Sequence, residues 1–493
     1  MFEINLYNNI AKASFWSFLS EIVAKTIGPL LFLVMTMLLS PKDFGLVAVA
    51  TVILGLVTVI SDMGMSKVII QESGTEKYLN QLYNVSFWFN IAMGIIVFLI
   101  LFFFSSPIAE LYGEPGASVI LQVMSLEVIF FSLSSIQSAI KKKFLDFKSL
   151  FYIRLVTVCT PAIVSIPLAF MGAGFWAIVW GNVFGSFATT IVLWKKSKWK
   201  PRFYFNLDIL KYILSKGIWS TFESLLVWVP VLLDTFLITK YLSSTSLGLY
   251  VTSKNLFTVA VGVLLGPLIP ILFSSLSILK NDKAALSRAV LFSQKMIFAV
   301  SAMMGVFVFI FHDLIEKAIF TSDWNGLGQI FGIIFLVLGF EFFCSSIIEG
   351  FRAKGMFKVL AINVLVCTII SVPILFYAVQ SSLVSYVTVR TLLLFLQFPI
   401  LIFYSSKILD LKFSDYLINI RSTLWIVIAL LAINTSFLLF DVRIEVKYAA
   451  LFVVFIFALY LLVSIERKSF LKIIEHLSFE RLLGKVIRKK KEV

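Results

Sequence analysis

Ten ionisable side chains lie within long apolar stretches of this sequence, where an isolated charge is unfavourable. They are Glu21, Lys25, Asp62, Glu127, Glu223, Asp234, Lys254, Glu341, Glu349 and Arg390. A charged group in hydrocarbon is strongly destabilised unless it is paired or hydrated, so these side chains are expected to face a cavity or a partner. Their number predicts a polar cleft inside an otherwise apolar molecule.

Three of the ten are cations, and their predicted role is to bind an anion. Lys25 lies near the middle of its stretch beside Gly28-Pro29, where proline removes a backbone hydrogen bond and can bend a helix. Lys254 and Arg390 lie in the outer halves of later stretches. A cation in a low-dielectric cavity suits a multiply charged anion. For Lys25 an alternative stays open, because Glu21 stands four residues earlier, in the favourable orientation for an intrahelical ion pair.

The carboxylates are candidates for ion coupling or for lining the cleft. Asp234 is the strongest of them, because no basic residue stands three or four positions away and Pro230 before it can open a helix to water. A carboxylate that binds H⁺ or Na⁺ differently in two conformations would let an ion gradient drive the conformational change. The alternative for Asp234 is a structural carboxylate that is hydrogen-bonded between helices. Glu21 and Glu341 are the other candidate cavity carboxylates.

The composition predicts that membrane-spanning helices position these groups. Of the 493 residues, 60% are apolar and 14% are charged, whereas an average soluble domain is about 45–50% apolar and about 25% charged. Apolar stretches long enough to span a membrane cover residues 13–39, 44–66, 83–104, 117–139, 150–171, 175–194, 218–240, 248–279, 290–312, 325–350, 359–379, 384–404, 422–440 and 448–465. They lack the alternation of barrel strands, so the predicted fold class is an all-α polytopic membrane protein with about 14 helices.

The positive charges predict which side of the membrane each segment faces. With the N-terminus inside, the inner segments hold 34 Lys and Arg residues, the outer segments hold five, and three lie within spans, which accounts for all 42. Because such residues near span ends are retained on the cytoplasmic side, both termini are predicted to be cytoplasmic. The net charge of +15 is explained better by these loops than by nucleic-acid binding.

The same map argues against an enzyme. The longest outer loops, around 105–116 and 313–324, hold about a dozen residues, which is too short for a catalytic domain. The sequence contains no GxxxxGK[ST] run for nucleotide binding. Cys159, Cys344 and Cys367 have neither metal nor redox spacing. We therefore predict no catalytic residue, no metal and no cofactor.

An internal repeat divides the chain into two similar halves. An ungapped shift of 203 residues places Trp16-Ser17 on Trp219-Ser220, and Leu39-Ser40 with Gly45-Leu46 on Leu242-Ser243 with Gly248-Leu249. Six spans separate the copies, so the halves would be related by an axis along the membrane normal. The predicted domains are an N-terminal lobe of helices 1–6 (1–194), a basic cytoplasmic linker (195–217), a C-terminal lobe of helices 7–12 (218–404), helices 13 and 14 (405–465) and a basic cytoplasmic tail (466–493).

Several short motifs resemble those of one transporter family. They are Leu39-Ser-Pro-Lys-Asp43-Phe-Gly45, Asp62-Met-Gly64-Met-Ser66 with Gln71, Leu145-Asp146-Phe147-Lys148, Gly172-Ala-Gly174-Phe-Trp176-Ala177, and Leu233-Asp234-Thr-Phe-Leu-Ile238 leading into Gly248-Leu249-Tyr250. In this order and on these spans, the chain is similar to the Wzx-type polysaccharide transporters, the oligosaccharide flippases of the multidrug, oligosaccharidyl-lipid and polysaccharide (MOP) exporter superfamily.

The resemblance implies a carrier that moves a prenyl-pyrophosphate-linked oligosaccharide, the repeat unit of a polysaccharide or lipopolysaccharide, from the inner to the outer leaflet by alternating access. The pyrophosphate would then be the anion for Lys25, Lys254 and Arg390, and related flippases use cations on the first and eighth helices. The implied partners are this lipid-linked substrate, membrane lipid, H⁺ or Na⁺, and the polysaccharide polymerase machinery.

Two other functions stay open at this point. One is a cation-coupled multidrug exporter of the same superfamily, and the other is a non-transporting membrane component of polysaccharide assembly. Fourteen spans with Lys25 and Lys254 inside them argue against the exporter. Buried charges on many spans argue against the non-transporting component.

Overall fold

The computed structural model describes Trp16, 19–20, Val23, 25–264, Leu272, 276–277, Leu279, 281–439 and 443–465, and within these residues it contains helices and no β-strand. The helices are α1 (Lys25–Leu38), α2 (Pro41–Asp62), α3 (Met65–Gln71), α4 (Glu76–Phe103), α5 (Ser105–Leu111), α6 (Ala117–Met124), α7 (Leu126–Lys143), α8 (Phe147–Phe170), α9 (Phe175–Lys196), α10 (Leu207–Tyr241) and α11 (Ser244–Leu264). They continue with α12 (Lys283–Ile319), α13 (Leu327–Leu336), α14 (Leu338–Phe343), α15 (Ser345–Ala353), α16 (Phe357–Val379), α17 (Leu383–Leu392), α18 (Gln397–Ile408), α19 (Phe413–Leu439) and α20 (Ile444–Ile465).

The predicted all-α membrane fold is confirmed. Within the described residues, twelve helical stretches are long and apolar enough to cross a membrane, and each coincides with one of the predicted spans. The two remaining predicted spans, 13–39 and 248–279, both include residues outside the described part of the chain. There the structure shows the shorter apolar helix α1 and the helix α11. The protein is therefore a multi-pass membrane protein, and the count of fourteen stays a prediction.

The chain forms two compact units. The first comprises Met1–Val263, Glu316–Ile330 and Val372–Tyr386, and the second comprises Leu264–Ile315, Phe331–Ser371 and Val387–Val493. The predicted lobe boundaries at 194 and 404 stay predictions. The basic tail at 466–493 lies outside the described residues.

The start of α2 explains the first of the sequence motifs. Ser40 caps this helix in a capping box with Asp43, because each side chain accepts a hydrogen bond from the other residue's backbone N–H, and Pro41 occupies the first turn. The other carboxylate oxygen of Asp43 accepts from the backbone N–H of Phe175 at 3.0 Å. One aspartate therefore joins the beginnings of α2 and α9.

The two copies of the repeat meet at a reciprocal contact between α2 and α11. A Cβ atom on Gly45 would lie 1.7 Å from the carbonyl oxygen of Ser244, and one on Gly248 would lie 1.8 Å from that of Pro41. Pro41 and Ser244, like Gly45 and Gly248, are 203 residues apart, which is the repeat offset. Equivalent residues that contact each other reciprocally are the signature of two-fold symmetry. This contact supports the duplication.

The hairpin of α8 and α9 packs through small residues as well. A Cβ atom on Gly181 would lie 1.9 Å from Ser165 Oγ, and one on Gly185 would lie 2.7 Å from Pro161 Cγ. Glycines that leave room for a neighbouring side chain in this way are typical of small-residue contacts between membrane helices. The turn between the helices contains Gly172 with φ of 78°.

The second unit packs α12 against α13 and α14. A Cβ atom on Gly305 would lie 2.3 Å from the carbonyl oxygen of Phe335, and one on Gly339 would lie 2.6 Å from Ala302 Cβ. Glu349 and Arg352 form an ion pair three residues apart on α15, with Oε1 and Nη1 separated by 2.6 Å. The Glu349 side chain is 6% exposed and that of Arg352 is 48% exposed, so the buried carboxylate is paired with a cation at the edge of the core.

Candidate functional site

A cavity of about 860 Å³ lies in the first unit, and it is the candidate substrate site. Apolar side chains form part of its lining, and the described residues that add hydroxyl groups to it are Ser20, Thr58, Ser66, Ser134, Ser135, Ser138, Thr157, Thr189, Ser220, Thr221 and Ser224. Its described cations are Lys67, Lys142 and Arg154, and its described acid is Asp62. The volume is within the range of about 300–1,000 Å³ that ligand sites occupy. This lining suits an anionic group that is attached to hydroxyl-rich chemistry, such as a phosphorylated sugar.

A tight turn between α2 and α3 shapes one wall of this cavity. Met63 and Gly64 both have positive φ, 44° and 73°, so the chain reverses within two residues. Glycine is required at 64 for a second reason, since a Cβ atom there would lie 2.5 Å from the carbonyl oxygen of Gly217 on α10. Asp62 then accepts a hydrogen bond from Ser66 Oγ at 2.6 Å. The motif from Asp62 to Ser66 is therefore a structural device that starts α3.

The position of α3 places Lys67 at the cavity. Lys67 Nζ lies 3.5 Å from the carbonyl oxygen of Ser220 and 3.4 Å from Ser224 Oγ, both on α10. At the other end of α3, Tyr212 Oη donates to Glu72 at 3.1 Å and Lys216 Nζ approaches the same carboxylate at 3.1 Å. Hydrogen bonds with Tyr212 and with Glu72 raise the pKa of Lys216. Both ends of α3 are thus attached to α10.

The other two cations come from the neighbouring helices α7 and α8. Lys142 lies in the last turn of α7, where a cation interacts favourably with the helix dipole. Arg154 lies two turns into α8, among Thr157 and the other hydroxyl groups of the cavity. Both side chains are exposed to the cavity rather than packed in the core. A guanidinium and two ammonium groups around one space can bind a pyrophosphate or a phosphate.

A second polar cluster in the first unit surrounds Asp234. This side chain is 5% exposed. Tyr250 Oη donates to Asp234 Oδ2 and Tyr386 Oη donates to Oδ1, each at 2.6 Å. Both oxygens are engaged, which is the arrangement that the structural alternative for Asp234 requires. An ion-coupling role would require these two hydrogen bonds to change when the ion binds.

Tyr250 also brings a predicted cation to this cluster. Lys254 Nζ lies 6.0 Å from the centre of the ring of Tyr250, the residue whose hydroxyl group donates to Asp234. Lys25 approaches the same helix further along, since its Cε lies 3.8 Å from the position of a Cβ on Gly262. Eight residues of α11 separate Lys254 from Gly262, which corresponds to about 12 Å. The structure thus places both lysines beside α11.

The remaining predicted residues lie elsewhere. Glu341 on α14 and Arg390 on α17 are half-buried residues of the second unit. Glu21 lies outside the described residues. Nowhere in the described part of the chain do three or more His, Cys, Asp or Glu residues come together as a metal site.

The comparison with known protein families now decides the assignment. The family model described as "Polysaccharide biosynthesis protein" matches residues 34–329, more than half of the chain. The chain belongs to this family. Among the similar proteins, the succinoglycan biosynthesis transport protein ExoT of Rhizobium meliloti is 22% identical over 327 residues, 66% of each chain. The lipopolysaccharide biosynthesis protein WzxC of Escherichia coli is 22% identical over 332 residues, 65% of each chain. The matched region thus spans just under two thirds of these relatives.

Solved structures show the same fold. The lipid II flippase MurJ in an inward closed conformation gives a TM-score of 0.73 at 15% identity, covering 93% of this chain and 99% of that one. An inward-facing multidrug resistance transporter, described as a MATE family protein of the MOP superfamily, gives a TM-score of 0.59 at 13% identity. The match covers 81% of this chain and 96% of that one. The predicted resemblance is confirmed at the level of the family, since the chain belongs to the polysaccharide biosynthesis proteins, its relatives include a succinoglycan transport protein and WzxC, and it has the fold of MurJ and of the MATE transporter. ExoT is named as a transport protein, MurJ as a flippase and the MATE protein as a transporter, and none of these names describes an enzyme.

Sequence reasoning missed several residues of the site in this polysaccharide biosynthesis protein. In the sequence, Lys67, Lys142 and Arg154 contribute only to the charge pattern that orients the chain in the membrane. Tyr386 carries no signal in the sequence, because nothing local connects it to Asp234. Tyr250 does carry a signal in the sequence. It ends one of the family motifs and stands four residues before Lys254, on the same helix face.

Removing the Tyr386 hydroxyl tests the structural role of Asp234. Tyr386→Phe is expected to lower the free energy of unfolding by roughly 1.5–3 kcal/mol, because a hydrogen bond to a buried carboxylate is lost. Thermal unfolding of the purified full chain measures this, with Tyr377→Phe as the control, since Tyr377 is 77% exposed. Equal stability of the two variants would contradict the structural role.

A second variant, Asp234→Asn, distinguishes the structural role from ion coupling. Loss of transport in this variant at unchanged stability would favour ion coupling.

Proposed function

We propose that this protein flips a prenyl-pyrophosphate-linked oligosaccharide, the repeat unit of a polysaccharide or lipopolysaccharide, from the inner to the outer leaflet of the cytoplasmic membrane. The observation that carries the proposal is a cavity that Lys67, Lys142 and Arg154 line together with hydroxyl groups, in a chain of the polysaccharide biosynthesis family. A pyrophosphate needs cations, and sugars need hydrogen-bonding partners. One cavity supplies both.

The charge pattern supports the direction of transport. The cavity lies at the ends of α2, α7 and α8 that the distribution of Lys and Arg predicts to be cytoplasmic. A substrate assembled in the cytoplasm would therefore meet the cavity first. From Ser224 at the cavity, α10 continues ten residues, about 15 Å, to Asp234 and its neighbour Lys254. Lys25, Lys254 and Arg390 would contact the pyrophosphate as it moves outward.

Alternating access and ion coupling complete the proposal. The contact of Gly45 with Gly248 lies at the predicted outer ends of α2 and α11, and its separation would open the outer side. An H⁺ or Na⁺ gradient would reset the carrier through Asp234, or through Glu21 or Glu341. Both termini would be cytoplasmic, and the product would pass to the polysaccharide polymerase machinery.

The direct test measures the lipid-linked oligosaccharide in each leaflet. Cells with and without this gene, lacking any redundant carrier, are treated with an impermeant sugar-modifying reagent, and the modified and unmodified pools are quantified. Accumulation of full-length, inward-facing material without the gene is the expected result. An unchanged outer-leaflet pool would overturn the proposal and favour multidrug export or a non-transporting role.

Neutralising the two lysines beside α11 tests their part in recognition. The double variant Lys25→Gln with Lys254→Gln is expected to lower transport without lowering the amount of folded protein, because the lost groups would act on the substrate. The same leaflet assay measures transport, and the membrane content of the variant is measured alongside it. Transport at the normal rate by the double variant would exclude both lysines from substrate recognition.

A further inference from the structure

The segment that follows α9 is held against α4 by hydrogen bonds and aromatic contacts. Between Lys196 and Leu207 it crosses the end of α4, where the backbone N–H of Arg202 donates to Asn84 Oδ1 at 2.8 Å. The indole N–H of Trp88 donates to the carbonyl oxygen of Arg202 at 3.0 Å. The Trp199 ring packs against Phe87, with ring centroids 5.7 Å apart. Backbone and aromatic contacts thus hold this segment in one place.

Anchoring through the backbone leaves the basic side chains of the segment outside. Lys198, Lys200 and Arg202 are exposed and alternate with the ring of Trp199 and with Pro201. Phe203 is 88% exposed, although its ring touches that of Trp88 at 5.6 Å. The segment therefore presents cations and an exposed aromatic ring together.

These side chains line a groove of about 1,110 Å³, which we call the linker groove. Its described Lys and Arg residues are Lys77, Lys141, Lys196, Lys198, Lys200 and Arg202, against two acids, Glu76 and Asp146. Lys141 forms an ion pair with Asp146. The charged atoms are 3.0 Å apart, and the lysine side chain is only 8% exposed. Although burial acts to raise it, hydrogen bonds from Ser149 and Lys141 hold the pKa of Asp146 below its usual value. Five cations then face one remaining acid.

We propose that the linker groove binds the headgroup of an anionic phospholipid of the cytoplasmic leaflet. The groove lies where α4 begins and α7 and α9 end, at the ends of spans that the charge pattern predicts to be cytoplasmic and therefore at headgroup depth. Basic clusters at this depth attract anionic lipid. Trp and Tyr side chains favour the same interface.

The apolar lining identifies lipid rather than a soluble anion. Phe144 and Phe203 line the groove and are 65% and 88% exposed. Exposed phenyl rings beside cations would be unfavourable in water, whereas both find suitable surroundings where headgroups meet acyl chains. A free phosphate would use the cations and leave the rings in water. This binding is separate from the proposed transport and does not depend on it.

The test uses the purified full chain in a neutral detergent and three added probes: dihexanoyl phosphatidylglycerol, dihexanoyl phosphatidylcholine and inorganic phosphate. Binding is measured by the rise in Tm as each probe is titrated. The groove variant K198Q/K200Q/R202Q is compared with K358Q/K407Q/K412Q, which removes as many exposed charges from other segments predicted to be cytoplasmic. The basic tail is intact in both variants, so it contributes equally.

Phosphatidylglycerol is expected to stabilise the unaltered chain and the control variant, and to bind the groove variant at least tenfold more weakly. The proposal would be overturned if phosphatidylglycerol bound equally weakly to both variants, or if it did not raise the Tm of the unaltered chain. It would also be overturned if inorganic phosphate raised the Tm as much as phosphatidylglycerol does. The single variant R202Q serves if the triple variant does not fold, because the bonds of Arg202 to Asn84 and Trp88 are made by its backbone and survive the substitution.

Discussion

Replacing Lys67 and Arg154 together with glutamine is expected to lower the transport of lipid-linked oligosaccharide by about 100-fold at limiting substrate. Each cation would make a charge-assisted contact worth roughly 1.5 kcal/mol or more, and two such contacts correspond to about two orders of magnitude in binding. Both side chains are exposed to the cavity, so the fold does not depend on burying them. The rate at which the sugar becomes accessible at the outer leaflet is the measurement.

The matched control keeps the charges and exchanges the two side chains, Lys67→Arg with Arg154→Lys. Most of the transport should remain in this variant, because each position still carries a cation, with some loss where a planar guanidinium is replaced. The amount of folded protein should be the same for all variants, and the Tm of the glutamine variant should fall only slightly, because Lys67 loses its two long contacts with Ser220 and Ser224. Normal transport by the glutamine variant would remove the cavity from the mechanism.

Adding a side chain at the contact of α2 and α11 is expected to have the second large effect. In Gly45→Val, the new Cβ would stand 1.7 Å from the carbonyl oxygen of Ser244, which belongs to backbone and cannot rotate away. The two helices must therefore separate. Overpacking of this kind destabilises a protein by about 1–3 kcal/mol, occasionally more. We expect a lower Tm and a loss of transport that follows from the displaced helices.

The reciprocity of the contact makes this prediction specific. Gly248→Val should lower the Tm about as much as Gly45→Val, because it meets the equivalent carbonyl oxygen of Pro41 at 1.8 Å. The double variant should lose less than the sum, since both substitutions break one shared contact. Gly28→Ala on α1 is the control, because nothing lies within 4 Å of its added Cβ. Strictly additive effects would argue against a single reciprocal contact.

Much of this fold could be predicted because the deciding property is local. The length of an apolar stretch decides whether a helix can cross a membrane, and a length is contained in the chain itself. Twelve of the predicted spans are helices for this reason. The turn at Gly64 was not predicted, because it interrupts the stretch 44–66 that hydrophobicity alone assigns to a single span. The repeat offset of 203 residues also predicted which glycines would be equivalent, and these two meet.

The sequence by itself therefore determined the membrane fold, the family and the list of charged candidates, whereas the tertiary structure alone decided which polar groups meet. Tyr386 reaches Asp234 from 152 residues away, and Lys67 reaches Ser220 from 153. In a soluble helix, the apolar face points to the core and so predicts orientation. Lipid and protein interior are equally apolar, so hydrophobicity cannot tell which face of a membrane helix meets its neighbour. That choice depends on close packing and hydrogen bonds between helices, which exist only in the folded chain.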